Sequence, residues 1–160
     1  MKRHSFAASL AFALLVILGL ASPVAAGEQV PFKGSLEGDV TVTPLTPPFV
    51  SVLVEATGNA THVGQFTLDI PHVVNRADRT AIGSYEFTTA NGDTLTAQFT
   101  GQSTPTDTPG VLYIVEIATI TGGTGRFVGA SGSGTVKASI TFASATSGAF
   151  SGTTAGTITY

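Results

Sequence analysis

The sequence predicts an all-β fold, an antiparallel eight-stranded β-barrel, with a two-sheet β-sandwich as the alternative. Three observations carry that expectation. Beyond residue 26, apolar and polar residues alternate with period two in segment after segment, the pattern of strands with one buried face. No window of that region carries apolar residues at the 3.6-residue spacing of a helix. Glycine, proline and asparagine punctuate the segments at short intervals, so most connections are tight, and closing such a sheet removes edges that would invite aggregation.

Residues 1–26 stand apart. Lys2, Arg3 and His4 precede an apolar run from Phe6 to Leu20, and Val24 and Ala26 occupy the small-residue positions of a cleavage site. A run of about 15 apolar residues falls short of the ~20 that a spanning helix needs. The segment reads as a signal peptide cut after Ala26, leaving residues 27–160 as a single β-barrel domain, secreted or periplasmic, with no stable membrane insertion. Removal of Lys2 and Arg3 takes the net charge from −3 to −5. So acidic a domain offers no footprint for a phosphate backbone, and no nucleic-acid partner is expected. Cysteine is absent, which excludes disulfides, thiol chemistry and cysteine-ligated metals.

The first strand places Phe32, Leu36, Val40 and Val42 on one face, is interrupted by Gly34 and Gly38, and ends at Pro44 to Pro48. A second strand carries Val50, Val52, Val54 and Ala56, with a tight turn expected at Gly58-Asn59. The third bears Phe66, Leu68 and Ile70 and is stopped by Pro71, so His72 to Thr80 reads as a polar connector holding Arg76, Asp78 and Arg79. Strands four (about Ile82 to Thr88) and five (Thr94 to Thr100) form a hairpin across Asn91-Gly92-Asp93, and Gln102 to Gly110 reads as a loop. The sixth, Val111 to Thr121, is apolar on both parities, as expected of a strand covered on both faces or one that meets another subunit in a homo-oligomer. After a glycine-rich turn, Val136, Ala138, Ile140 and Phe142 mark the seventh strand, and the eighth runs from about Gly148 to Tyr160. Glycines inside strands cost ~0.5–1 kcal/mol each relative to alanine, so they are expected at bends or close approaches.

The turn itself reads Thr119-Ile120-Thr121-Gly122-Gly123-Thr124-Gly125-Arg126-Phe127, followed by Gly129-Ala130-Ser131-Gly132. It resembles the G-G-T-G-x-F…A-x-G segment of the allene oxide cyclase and dirigent barrels. That resemblance implies an allene oxide cyclase barrel-like fold with a central apolar cavity. It carries over no catalytic residue, since the matched segment packs a barrel corner and fold alone does not fix chemistry.

Glu116 is the first candidate for chemistry. It shares parity with Leu112, Ile114, Ala118 and Ile120, so if that face lines the barrel, burial raises its pKa and equips it as an acid, a base or a ligand partner. If Tyr113, Val115 and Ile117 point inward instead, Glu116 is outside. His62, near a barrel rim, and the tyrosines Tyr85 and Tyr113 complete the candidate ligand-binding set. His72 is expected to be solvated in its connector. The two histidines with Asp69 between them lack the H-x-x-x-H spacing of a metal site, and no metal is expected. Gly122 to Gly125 lacks the lysine and following helix of a phosphate cradle, no G-x-S-x-G elbow is present, and no cofactor is expected. These features favour a barrel that binds a small apolar ligand over an enzyme. The alternatives are an allene oxide cyclase-like cyclase or isomerase acting on a lipid-like substrate, and a cell-surface module that oligomerises.

Overall fold

A computed structural model describes residues 27–160; the proposed signal peptide and its cleavage position lie outside the described residues. Eight strands follow one another: β1 (Val30–Pro44), β2 (Phe49–Ala60), β3 (Gly64–Asn75), β4 (Thr80–Thr89), β5 (Thr94–Pro105), β6 (Val111–Gly123), β7 (Ser131–Phe142) and β8 (Ser147–Thr159). Each pairs antiparallel with its sequence neighbours, and β1 pairs with β8 to close the barrel. The fold is the expected antiparallel eight-stranded barrel rather than the sandwich.

The inward parities are those of the sequence pattern. Val40, Val54, Leu68, Ile70, Leu95 and Ile158 are almost wholly buried. On β6 the even positions face in, so Ile114, Glu116 and Ile120 are buried while Tyr113 and Ile117 are exposed, Ile117 by 55%. The second apolar face of β6 is thus an outer surface.

Three boundaries differ from expectation. The β2–β3 turn lies at residues 61–63, where His62 takes a positive φ of 67° before Gly64 at 76°, and not at Gly58-Asn59. Gly58 is instead inside β2, where a Cβ would meet the Ser35 carbonyl at 2.3 Å and the Phe66 ring at 2.5 Å. Pro71 does not end β3. Its ladder with β2 is continuous, and the pairing with β4 skips from Asp69 to His72, so the missing proline N–H falls in that gap. The expected connector shrinks to a turn at 76–79. Likewise β5 continues through Gln102 to Pro105, paired with β6, where a loop was expected.

The end of the barrel formed by the β2–β3 and β6–β7 connections is closed. A short 3₁₀ turn, Gly125–Phe127, drops the fully buried Phe127 ring into that end beside Tyr160. Arg126 covers it, with its guanidinium 4.7 Å from the Phe127 ring centre, Nη2 donating to the Val63 carbonyl at 3.0 Å and Nε 3.9 Å from the Asp93 carboxylate. The glycine-rich segment is therefore a corner that seals the barrel. Gly125, at φ 56°, leaves room for Asp93, whose Oδ1 would lie 1.8 Å from an added Cβ.

In-strand glycines serve close approach to different degrees. Gly156 and Gly134 face each other across β7 and β8, yet a Cβ at 156 would lie 2.2 Å from the Ser133 carbonyl, against 3.1 Å from the Ala155 carbonyl for one at 134. Gly156→Ala should destabilise the protein by about 1–3 kcal/mol, the cost of forced overpacking. Gly134→Ala should cost clearly less. Urea denaturation of both variants checks the order, and equal losses would contradict the packing argument.

Candidate functional site

The opposite end of the barrel is open. There a cavity of about 480 Å³ enters the interior between the end of β1 and β3 and the beginnings of β2 and β6. Its walls are aliphatic, built from inward residues such as Val40, Val52, Ile114 and Ile140. The polar side chains in this wall include Glu116 and His72, and each of these has a glycine directly opposite on the neighbouring strand. Gly101 pairs with Glu116 and Gly83 with His72. A Cβ at 101 would sit 2.7 Å from Cγ of Glu116, and one at 83 would sit 2.3 Å from Cβ of His72. The missing side chains of two inward positions are what give these polar groups space.

Glu116 is only 4% exposed. Its carboxyl accepts a hydrogen bond from the Tyr85 hydroxyl, which is the floor beneath it. Tyr85 is 2% exposed and packs against Phe99, with ring centres 4.8 Å apart, and against Phe87 at 6.0 Å. Burial pushes the Glu116 pKa up to about 7, opposed in part by the Tyr85 hydrogen bond. Burial and the adjacent Glu116 charge push the Tyr85 phenol upward, so it remains a proton donor at any ordinary pH.

His72 is half-buried on β3, with its ring 5.7 Å from Phe99. Nδ1 donates to the Ile70 carbonyl at 2.9 Å, which leaves Nε2 as the acceptor in the neutral ring. Desolvation lowers its pKa, with the Ile70 carbonyl opposing, and so favours that neutral form. Near neutral pH the cavity therefore offers a carboxyl poised between its acid and base forms and an unprotonated imidazole. The mouth adds Arg76, Arg79 and Gln102.

The sequence-derived candidates divide sharply. Glu116 lines the cavity, and Tyr85 reaches it only through Glu116. Tyr113 lies on the outward parity of β6, exposed beside Ser139 and Thr104, and cannot take part. His62 sits in the exposed turn at the sealed end, 3.1 Å from the Tyr160 hydroxyl, far along β3 from the cavity. His72, expected in a solvated connector, is the histidine that enters the site. The signal that reveals it is parity, for His72 continues the Phe66, Leu68, Ile70 face once Pro71 is read as an ordinary strand position. Among the described residues no group of three His, Asp or Glu side chains is arranged to hold a metal ion.

Fold and site together define an eight-stranded antiparallel barrel, sealed at one end, with an aliphatic cavity at the other around a buried carboxyl. The chain is similar to the solved structure of a pterocarpan synthase dirigent protein, GePTS1, at 11% identity and a TM-score of 0.49, over 84% of this chain and 87% of that one. The similarity is one of overall fold and transfers no residue's role. No family model and no curated protein matches the chain.

The position of Glu116 has a consequence for stability. In the unfolded chain it ionises near 4.5, whereas in the fold it keeps its proton to about 7. Between those values the folded state binds the extra proton, so stability falls as pH rises and the full penalty is present above about 7. The shift corresponds to about 3 kcal/mol. Glu116→Gln should abolish this loss, so the wild type should weaken relative to the variant between pH 4.5 and 8 in urea denaturation series. The depressed His72 pKa acts in the other direction, costing stability as pH falls through its ordinary 6.5, and cancels in the comparison because both proteins carry it. A stability difference that does not vary with pH would refute the buried, protonated state of Glu116.

Proposed function

We propose that the protein binds a small, largely apolar molecule in the open end of the barrel, with Glu116 supplying a hydrogen bond to a polar group of that molecule. The observation that carries this reading is the single buried carboxyl in an aliphatic cavity of about 480 Å³, the size of a small-molecule pocket. A structural core gains nothing from a carboxyl here, since an apolar residue of similar volume avoids the desolvation cost. Thermal melts against fatty acids, terpenoids and phenolics should find at least one ligand, and a site held at 100 times Kd adds about 2.7 kcal/mol. A panel without any shift would overturn the reading.

A second reading is a cyclase or isomerase acting on a lipid-like substrate. It is favoured by one observation, the pairing of a carboxyl with a pKa of about 7 and a neutral imidazole in the same cavity. Glu116 would then donate or withdraw a proton with His72 as its complement. Chromatography of ligand recovered after incubation distinguishes the two readings, because binding returns the compound unchanged.

Residues 1–26 fit an export signal, so the working protein is proposed to be residues 27–160, secreted or periplasmic. The outer face presents Tyr113 and Ile117 on β6 and, across Thr100 of β5 from Ile117, Ile82 on β4, which is 64% exposed, apolar groups suited to contact with a second copy. Mass spectrometry of the exported protein should begin at Gly27, and light scattering of the same sample should give more than the monomer mass. A retained leader would remove the export proposal, and a monomer at high concentration the oligomer.

A further inference from the structure

The mouth of the cavity is cationic although the domain as a whole is acidic. Of the five basic residues beyond residue 26, Arg76 and Arg79 both line this opening, while Lys33 and Arg126 lie toward the sealed end. Their turn is fixed by its backbone. The Arg76 N–H donates to the Pro48 carbonyl at 3.0 Å, the Ser103 N–H donates to the Arg79 carbonyl at 3.0 Å, and Gln102 Nε2 donates to the Asp78 carbonyl at 2.8 Å.

Neither guanidinium has a carboxylate partner among the described residues, whose one ion pair joins Arg126 to Asp93. Asp78 lies between the two arginines in sequence, yet its carboxylate is turned to Thr80, accepting from the Thr80 hydroxyl at 2.7 Å and N–H at 3.1 Å. It does not line the cavity, and Glu116 is the one acidic side chain that does. The outer wall of β1 to β4 carries a negative row. Asp39, Glu55, Asp69 and Glu86 stand directly opposite one another across four adjacent strands. Such like-charge pairs are unfavourable.

We propose that the ligand is an amphipathic anion, its charged head gripped by Arg76 and Arg79 at the mouth and its apolar body lying against the aliphatic wall toward Glu116. The inference rests on the ligand-binding reading of the cavity and adds the chemical class. Guanidinium groups match the planar or branched oxygens of carboxylate, sulfate and phosphate, and two unpaired ones on a fixed turn bind such a head without displacing an internal partner. Apolar length beyond the head is required to fill the valine and isoleucine surface below. A bare inorganic anion would leave that surface wet.

Titration calorimetry with decanoate and with uncharged 1-decanol separates head from body. Decanoate should bind roughly tenfold more tightly than 1-decanol at low salt, as one charge-assisted contact supplies. Raising the salt should narrow the gap. Arg76→Gln/Arg79→Gln should remove the gap by weakening decanoate while 1-decanol still binds, which also reports that the variant is folded. Arg76→Lys/Arg79→Lys should retain part of it. Equal binding of the two probes by the wild type, or a gap that survives in the glutamine variant, overturns the anion site and leaves the cavity reading standing. Binding of neither probe overturns both.

Discussion

Closure of the β1–β8 ladder is the constraint on which the rest of the structure depends. With every strand paired on both sides, no edge is exposed, and all inward side chains compete for one narrow interior. The sequence resolves that competition by setting large residues against glycines: Leu36 faces Gly58 on one side and Gly152 on the other, and Phe32 faces Gly156. At the sealed end Leu95, Phe127 and Ile158 are wholly buried. At the other end Gly83 and Gly101 occupy inward positions beside His72 and Glu116, and volume remains. Where the glycines fall along the strands decides both where the barrel bends and where it is hollow.

The hollow end sets the electrostatics of the site. A carboxyl surrounded by valine and isoleucine keeps its proton, and the Tyr85 hydroxyl satisfies it from below. Ionisation near neutral pH would place a charge in the cavity with one hydrogen bond and no adjacent cation, since the guanidinium groups stand at the solvated mouth. Glu116 is therefore sensitive to anything that enters. An apolar occupant excludes water and raises its pKa further, whereas a polar group brought within reach stabilises the charged form.

Much of this architecture was legible in the sequence because period-two alternation fixes both the strand and the face, independent of distant contacts. The strand count and the inward faces of β1, β5 and β7 follow from it, while the corner at Gly122 to Gly132 follows from its run of glycines between two strands. Glu116 could be singled out but not oriented, since both parities of β6 are apolar and only closure of the barrel tells inside from outside. The errors have physical causes. Pro71 reads as a stop unless one knows that its position falls in a gap of the β3–β4 ladder, and that misreading hid His72. Gly58 reads as a turn residue unless the Phe66 ring above it is known. Both depend on register between strands, which is set by the whole sheet rather than by local composition.

The same register explains why the arginine turn matters beyond its own contacts. Asp39, Glu55, Asp69 and Glu86 are separated along the chain, yet the antiparallel pairing aligns them into one row on the outside of β1 to β4. The row repels anions from that flank, and the turn carrying Arg76 and Arg79 caps two of the same strands, β3 and β4, at the open end. A field that is negative along the wall and positive at the mouth favours approach by an anion at the opening over the side. The domain's net acidity and an anionic ligand are thus compatible, because what the ligand meets is the local charge of one turn, not the charge of the whole protein.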